Sequence, residues 1–359
     1  MAFVRENDSW SLYLPEMRRG EVPPGWLARW RGNGIIARVE NRDTARAIRR
    51  IRLPTVDVSA ARQLPEVPWV ETDDLAIARA AAEHLAERGF RRFAYCGDPR
   101  FNWSQWREEH FCRSVANFGG TVSVFHSPAT AKAATSWSIE YRRLADWVRS
   151  LHKPVGIMAC YDIQAQRLLD ACRDADVAVP EEAAVLGVDD DRLLCDLCSP
   201  PLSSVVPNAK LTGYTAAQVL DRMMRGETAA AQGHLIPPLG IKVRQSTDVL
   251  AIDDADVAAA VRFIREHAFE HINAATVLRN IPLSRRVLES RFRNALGRTP
   301  HEELTRVRIE RVKQLLGETD LTLEAIAMRT GFRHVEYLSV AFKREVGIRP
   351  GQFRVAHGL

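Results

Sequence analysis

A segment near the carboxyl end of the chain occurs twice, and this repeat constrains the fold more than any other feature of the sequence. Residues 292–300 (FRNALGRTP) return as residues 342–350 (FKREVGIRP), with aromatic, basic, apolar, glycine and proline residues at the same positions. Apolar residues recur at every fourth position, which places them in one stripe along the buried face of a helix. These stripes are Leu288, Phe292 and Leu296 in the first copy and Leu338, Phe342 and Val346 in the second. Because Gly297 and Gly347 then end the helices, the repeat predicts two copies of one small helical unit.

Each long helix follows a shorter helix and a tight turn. The predicted short helices cover residues 273–279 and 322–330, the second with Thr322 or Thr319 as its N-terminal cap. A short helix, a turn and a longer helix are the parts of a helix-turn-helix, whose second helix enters the DNA major groove. A basic helix from about residue 301 to about residue 316 is predicted to join the two units.

The first long helix presents a polar face beside its apolar stripe. The side chains of that face are Arg285, Arg286, Glu289, Ser290 and Arg293. Arginine binds guanine O6 and N7 through two hydrogen bonds at once, and serine or glutamate binds other base edges. The second unit offers Arg333, His334, Glu336, Tyr337 and Lys343 for the same purpose. A solvated helix face is the alternative explanation, but two such units joined by a basic helix favour DNA binding.

Positive charge is concentrated in the same part of the chain. Residues 255–359 hold 18 of the 50 lysines and arginines but 12 of the 45 aspartates and glutamates, whereas residues 1–254 hold 32 and 33. The formal net charge of +5 therefore comes from the C-terminal third. Such a local surplus is expected where a protein contacts DNA phosphates.

The N-terminal two thirds of the chain alternate apolar strands with helices. Strands are predicted at residues 11–14, 34–38, 54–58, 93–97, 122–125, 156–160 and 184–188, with helices such as 75–88 and 139–151 between them. This alternation predicts an α/β domain of parallel sheets covered by helices. A polar stretch without a clear period follows it. We therefore predict an α/β domain at residues 1–245, a linker at 246–255 and an all-α domain with two helix-turn-helix units at 256–359.

The last hundred residues resemble the DNA-binding domain of the AraC/XylS transcription regulators, in which a long helix joins two helix-turn-helix units. The resemblance is carried mostly by the second unit, in IAMRTGF at residues 326–332 and GIRPGQFR at residues 347–354. It implies sequence-specific DNA binding and transcription regulation. One position departs from the pattern, because Val340 stands where many members have an arginine on the second reading helix. That departure favours base reading by the first long helix.

Residues 10–245 resemble the effector-binding domain of the LacI/GalR repressors, which is similar to periplasmic sugar-binding proteins. The resemblance rests on VETD at residues 70–73, GFRRFA at residues 89–94 and LGVDD at residues 186–190. It implies a sensor of two lobes that close around a small ligand. The positions that match the family's ligand contacts are Arg107, Asp162 and Asp189, with Trp103 and Tyr161 as aromatic neighbours.

Sugars are recognised by charged or amide groups that bind hydroxyls and by an aromatic surface for the C–H face of the ring. Taken singly, a surface arginine, a helix cap at Asp162 and a turn aspartate at Asp189 explain the residues equally well. Together they favour ligand contact, since both aspartates follow strands, where open α/β sheets bind ligands.

The order of the two domains adds to the resemblance. A sensor followed by an AraC-type domain is typical of xylose-responsive regulators, and RQSTD at residues 244–248 resembles the closing segment of their sensors. The resemblance implies an activator of pentose-utilisation genes that binds D-xylose. A different small ligand, such as a hexose or a nucleoside, is the alternative.

The beginning of the chain differs from the LacI/GalR family, in which a strand and most of a helix come earlier. Residues 1–7 resemble only the end of that helix, so the first strand of the N-terminal lobe is expected to be missing. Either the start has been placed downstream of the true one, which we favour, or the sensor is truncated and non-functional. An incomplete lobe is expected to expose an edge strand.

Other classes of function find little support. The sequence has no glycine-rich phosphate loop, nucleophile elbow or two-histidine metal motif, so we expect no enzyme activity, metal or cofactor. Cys195 and Cys198 have the spacing of a redox or metal pair but lack a second pair, and reduced, buried thiols are expected. The absence of a membrane segment or leader favours a cytoplasmic, nucleoid-associated protein. The implied partners are double-stranded DNA, a sugar, RNA polymerase and a second copy of the chain.

Overall fold

The chain folds into two compact units, Met1–Asp248 and Val249–Leu359. The structure, a computed structural model, describes residues 2–7, 10–14, 25–127, 137–227, 233–248 and 254–357. Among these residues, none of the helices combines the length and the apolar character that crossing a bilayer requires.

The described residues of the first unit form two sheets. Its described strands are β1 (Ile35–Ala37), β2 (Thr55–Asp57), β3 (Trp69–Thr72), β4 (Phe93–Gly97), β5 (Val122–His126), β6 (Val155–Ala159), β7 (Ala183–Val188), β8 (Ser203–Val206), β9 (Gly233–Ile236) and β10 (Gly240–Lys242). One sheet has the order β1-β2-β3-β9 and is parallel. The other has the order β10-β8-β7-β6-β4-β5 and is parallel except for β10 at its edge. The predicted parallel α/β architecture is thus confirmed.

Helices cover both sheets and connect them. The described helices of this unit are α1 (Ala2–Asn7), α2 (Arg42–Ile51), α3 (Asp74–Glu87), α4 (Asn102–Ala116), α5 (Trp137–Ser150), α6 (Asp162–Asp174), α7 (Arg192–Leu197) and α8 (Ala209–Met224). Helix α3 begins where β3 of the first sheet ends and then packs against β6, β7 and β8 of the second sheet. It therefore links two lobes, each built on one sheet.

The second lobe is built on strands that are buried on both faces. Every residue of β4, β6 and β7 is buried, as expected where helices cover both sides of a parallel sheet. Ala94, Ile157 and Val185 are completely buried in the core beneath α5 and α6. Continuous apolar runs made these strands predictable. Strands β3, β8, β9 and β10 were missed because runs of three or four residues show no clear period.

The predicted strand at residues 11–14 is wrong. These residues form no strand and are exposed, Leu14 at 92%. An apolar alternation becomes a strand only when a neighbouring strand accepts its backbone hydrogen bonds. The described part of the first sheet ends at β1, which pairs with β2.

The predicted linker at residues 246–255 is wrong at both ends. Gln245–Thr247 form a 3-10 turn inside the first unit, and Ser246 and Thr247 are completely buried. The Ser246 hydroxyl donates to the carbonyl oxygen of Val185 (2.6 Å) and accepts from the Ser203 amide (2.8 Å). Polar residues are buried here because the sheet satisfies their hydrogen bonds. Asp254 already caps the next helix, and residues 249–253 lie outside the described residues.

In its described residues, the second unit is all helical. Its described helices are α9 (Ala255–His267), α10 (Ala274–Arg279), α11 (Arg285–Leu296), α12 (Pro300–Glu318), α13 (Leu323–Arg329), α14 (Val335–Val346) and α15 (Pro350–His357). The repeat folds as predicted: α10 and α11 form one helix-turn-helix, α13 and α14 form the other, and α12 joins them. Thr322 accepts from the Ala325 amide as the N-terminal cap of α13. Gly297 and Gly347 end the long helices with φ of +68° and +87°.

A buried arginine on α12 holds the segment that follows α9 and lies against the turn of the second helix-turn-helix. Arg308 of α12 donates to the carbonyl oxygens of Ala268 (2.7 Å) and Ile272 (2.9 Å), which follow the end of α9. The turn residue Gly331, with φ of +74°, lies against the same group, and a Cβ atom there would be 2.5 Å from the Ala268 oxygen. The position therefore requires glycine for its backbone angle and for space.

Candidate functional site

The side chains predicted to bind a ligand converge at the carboxyl ends of β6 and β7 and near the start of α4. Arg107 is buried and donates through Nε to Asp74 Oδ1 (2.7 Å) and through Nη1 to the carbonyl oxygen of Cys160 (2.6 Å). Burial lowers the pKa of Arg107, but the negative charges of Asp74 and Asp189 raise it by more. Arg107 is therefore a fixed, charged group inside the unit and not a surface arginine.

Aromatic rings lie beside this cation. The Arg107 guanidinium carbon is 5.0 Å from the centre of the Trp103 ring. Trp103 stacks on Phe101 with ring centres 4.9 Å apart, and it meets Tyr161 edge-on at 5.5 Å. Trp103 and Tyr161 were predicted from the sequence, whereas Phe101 was missed because it precedes the helix without a motif of its own.

Asp162 is held by protein hydrogen bonds. Its carboxylate accepts from the Ser204 hydroxyl (2.7 Å) and the Asp191 amide (2.8 Å), and the Cys195 thiol lies at 3.4 Å. Burial raises the pKa of Asp162 to about 6 although these hydrogen bonds lower it. The side chain does not cap α6, because Tyr161 occupies that position without a side-chain cap. Asp162 thus holds the loop after β7 in place, and direct contact with a ligand stays a prediction.

That loop carries Asp189 in an unusual backbone conformation. Asp189 and Asp190 have φ of +115° and +48°, which few residues other than glycine adopt, and such strain is often found at functional sites. Asp189 is exposed, and its charge acts on both Arg107 and Asp162. Asp190 accepts from Nη1 of Arg244 (2.7 Å), which ties the loop to the segment at residues 244–248.

Three acidic residues in or just after the strands of the first sheet were missed. Asp74, the partner of Arg107, follows Asp73 directly after β3. Burial raises the pKa of Asp57 to about 6 and that of Glu71 to about 7. Among the described residues, none provides a hydrogen-bond partner for the buried Oδ2 of Asp57. Glu71 is paired with Arg62 at 3.3 Å. Their places at or near the carboxyl ends of β2 and β3 were the signal that could have identified them.

The residues predicted to read DNA in the first helix-turn-helix line one groove. An open surface groove along α11 is lined by Arg285, Arg286, Glu289, Ser290, Arg293 and Asn294. An adjoining cavity of about 560 Å³ extends to α10 and the start of α12. Within the groove, Arg285 Nε donates to Glu289 Oε1 at 2.9 Å. The structure therefore brings all five predicted side chains of α11 to one surface.

The second helix-turn-helix presents its predicted residues in the same manner. Arg333, His334, Glu336, Tyr337 and Lys343 are all exposed, while Leu338 and Phe342 are buried. The Tyr337 ring packs on Phe332 with centres 5.9 Å apart, and its hydroxyl lies 3.5 Å from Nε2 of His301. These contacts keep Tyr337 close to the protein surface at the start of α14.

All six cysteines are free thiols, and five of them are buried. Burial, together with the nearby charge of Asp162, raises the pKa of Cys195, so its thiol stays protonated. In the part of the chain that the structure describes, no three His, Cys, Asp or Glu side chains are placed to hold a metal ion.

Comparison with known proteins agrees with both halves of this description. A periplasmic binding protein-like domain matches residues 82–247, and a helix-turn-helix domain matches residues 278–356. The xylose operon regulatory protein of Escherichia coli K12 is 31% identical over 355 residues, covering 97% of this chain and 90% of that protein. Its counterpart from Haemophilus influenzae is 31% identical over 330 residues, covering 90% of this chain and 85% of that protein.

A solved structure has the same fold over the whole chain. The structure of a xylose-binding transcription activator matches with a TM-score of 0.84 and 30% sequence identity, covering 100% of this chain and 93% of that one. These relatives of the present chain are transcription regulators and not enzymes. The chain therefore belongs to the family of the xylose operon regulatory proteins, DNA-binding transcription regulators in which a periplasmic-binding-protein-like domain precedes an AraC-type helix-turn-helix domain.

Proposed function

We propose that this regulator responds to a neutral pentose, D-xylose, bound between the lobes of its first unit. Arg107 is the observation that carries the proposal, because it is buried, charged and fixed by Asp74 beside an aromatic surface. In the complex, Arg107 and Asp189 bind hydroxyl groups, and Trp103 and Tyr161 cover the C–H face of the ring. These are the groups that recognise sugars in other proteins.

The charges around Arg107 favour an uncharged ligand. Asp74 is buried against Arg107, and Asp189 is exposed but close enough for its charge to act on Arg107. A sugar acid or sugar phosphate would be repelled by these carboxylates, whereas hydroxyl groups can donate hydrogen bonds to them. D-xylose-like polyols therefore fit the site better than anionic sugars.

In the proposed DNA complex, α11 and α14 enter successive segments of the major groove about one helical turn apart. The first helix-turn-helix makes its contacts through Arg285, Arg286, Glu289, Ser290 and Arg293. The second makes them through Arg333, His334, Glu336, Tyr337 and Lys343. The protein acts as a homodimer in the cytoplasm, at the nucleoid, and activates pentose-utilisation genes through RNA polymerase. Control by the sugar requires that it bind one arrangement of the dimer better than the other.

Thermal unfolding in the presence of sugars tests the ligand. The full chain is titrated with D-xylose, L-arabinose, D-ribose, D-glucose and adenosine. A ligand at one hundred times its dissociation constant adds about 2.7 kcal/mol to the free energy of unfolding. We expect a shift with D-xylose, and we expect Asp189→Asn to abolish that shift without unfolding the protein, because Asp189 is exposed.

A matched variant controls for the loss of charge. Arg107→Gln is expected to lose the D-xylose shift, whereas Arg113→Gln on the same helix, whose pair with Glu109 is exposed, is expected to keep it. A shift with another compound and none with D-xylose would replace the proposed ligand. No shift with any compound would overturn the proposal that this chain senses sugars, while DNA binding would be unaffected.

A further inference from the structure

Val340 is an apolar residue on the exposed face of α14. Its side chain is 67% exposed, whereas Leu338, Ala341 and Phe342 on the other side of the helix are buried. Valine is a weak helix former because its branched Cβ restricts the side chain, and here it gains nothing from burial. Neither helix stability nor core packing therefore accounts for this residue.

The repeat gives Val340 a counterpart in the first reading helix. Fifty residues earlier the same position is Ser290, which is exposed and lines the groove on α11. Each is the sixth residue of its helix and follows the exposed N-terminal turn that contacts bases in helix-turn-helix proteins. At this shared position, the first helix-turn-helix presents the hydroxyl group of Ser290, and the second presents the two methyl groups of Val340.

The neighbours of Val340 are charged. Glu336 lies one turn before it and Lys343 one turn after it, and Arg333 precedes the helix. Cations at the two ends of the exposed face suit phosphates on either side of a groove, which leaves the apolar centre facing the base edges. The major-groove edge of DNA offers one apolar group, the 5-methyl group of thymine.

We propose that Val340 reads thymine, by packing its methyl groups against the thymine 5-methyl group in the major groove. The inference rests on the proposed entry of α14 into that groove. It assigns different chemistry to the two halves of the DNA site. The first half is read by the arginines of α11, which favour guanine, and the second half is selected for a thymine by apolar contact.

Replacing thymine by uracil tests this contact, because the replacement removes only the 5-methyl group. Duplexes that the full chain prefers are selected from a randomised pool, and each thymine is then replaced in turn. We expect one replacement, in the half bound by α14, to weaken binding about fourfold, which corresponds to about 0.8 kcal/mol for one methyl group. Val340→Ala is expected to bind the thymine and uracil duplexes equally, with an unchanged or higher unfolding temperature.

Two further variants make the outcome decisive. Ser290→Ala is expected to keep the full uracil effect in the half-site of α14, and Lys343→Ala is expected to weaken binding to all duplexes. The proposal is overturned if no thymine is sensitive, or if Val340→Ala retains the wild-type sensitivity, while Lys343→Ala still weakens binding. If Val340→Ala and Lys343→Ala both leave the affinity for DNA unchanged, α14 does not enter the major groove. The proposed role of the second helix-turn-helix then fails as well.

Discussion

Arg107 Nε and Asp74 Oδ1 form a buried ion pair, 2.7 Å apart, that joins α4 to the first residue of α3. Asp74 follows the last residues of β3 in the four-stranded sheet, and Arg107 also donates to the carbonyl oxygen of Cys160 at the end of β6 in the six-stranded sheet. The pair thus fixes the orientation of the arginine at the boundary between the lobes. Such support by a neighbouring residue is what a precise binding site requires.

Asp74→Ala is expected to destabilise the first unit by about 3–5 kcal/mol, because it leaves the Arg107 charge buried without its partner. Asp74→Asn is expected to lose less unfolding free energy, since its amide oxygen can still accept a hydrogen bond from Arg107. Urea unfolding of the three proteins measures the difference. Asp146→Ala, which breaks the exposed pair with Arg149, is the control and should cost less than about 1 kcal/mol. Equal losses of unfolding free energy in Asp74→Ala and Asp146→Ala would show that the buried pair stabilises the protein no more than the exposed pair does.

Gly331→Ala is expected to destabilise the second unit by at least about 3 kcal/mol. The new Cβ atom combines a positive φ of +74° with a distance of 2.5 Å from the Ala268 oxygen and 2.9 Å from Arg308 Nε. Gly297→Ala and Gly347→Ala are matched controls, because both have positive φ but nothing within 4 Å of the added atom. They should cost only about 1–2 kcal/mol. Thermal unfolding that ranks all three equally would argue against the close approach at Gly331.

Arg286→Ala is expected to weaken specific DNA binding by about 1–3 kcal/mol and to relax sequence choice at one position. The side chain is exposed at the start of α11 and lines its groove. Fluorescence anisotropy with the preferred duplex and with single-base variants of it measures both effects. Arg291→Ala, on the face of α11 that pairs with Asp254 and Asp256, should leave the sequence choice unchanged. An equal loss of affinity for every sequence would mean that Arg286 contacts only phosphate.

His84→Gln is expected to reduce the acid sensitivity of the first unit. Burial, and then the charge of Arg88, lower the pKa of His84 from 6.5 to about 3, and its Nε2 lies 2.9 Å from the Thr247 hydroxyl. Between these values the unfolded chain binds a proton that the folded chain does not. The stability due to neutral His84 is therefore complete above pH 6.5 and is lost as the pH falls toward 3, at most about 1.4 kcal/mol per pH unit.

Urea unfolding at pH 7.5 and pH 5 gives this comparison. Asp57, Glu71 and Asp162, whose pKa values are raised, contribute the opposite dependence to wild type and variant alike. The difference between the two proteins therefore isolates His84. His152→Gln, at an exposed position, is expected to behave as wild type. The same pH dependence in wild type and His84→Gln would contradict the prediction.

Local patterns in the sequence determined the second unit almost completely. The apolar stripe of Leu288, Phe292 and Leu296, its repeat and the glycines that end each helix are short-range signals, because spacing along a helix depends only on neighbouring residues. The buried strands β4, β6 and β7 were predictable for a similar reason, since each is a continuous apolar run. The side chains of α11 followed from the helix as soon as its buried face was known.

Tertiary structure decided the features that depend on contacts between distant parts of the chain. Residues 11–14 have the alternation of a strand but not its partner, and Ser246 and Thr247 have the composition of a linker but hydrogen bonds that bury them. The pairing of Arg107 with Asp74 joins residues 33 positions apart, and nothing in the local sequence of either one indicates it. The sequence thus determined which residues could form helices and bear charge, whereas the packing of distant segments decided which charges are buried together, because burial and pairing are properties of the assembled fold.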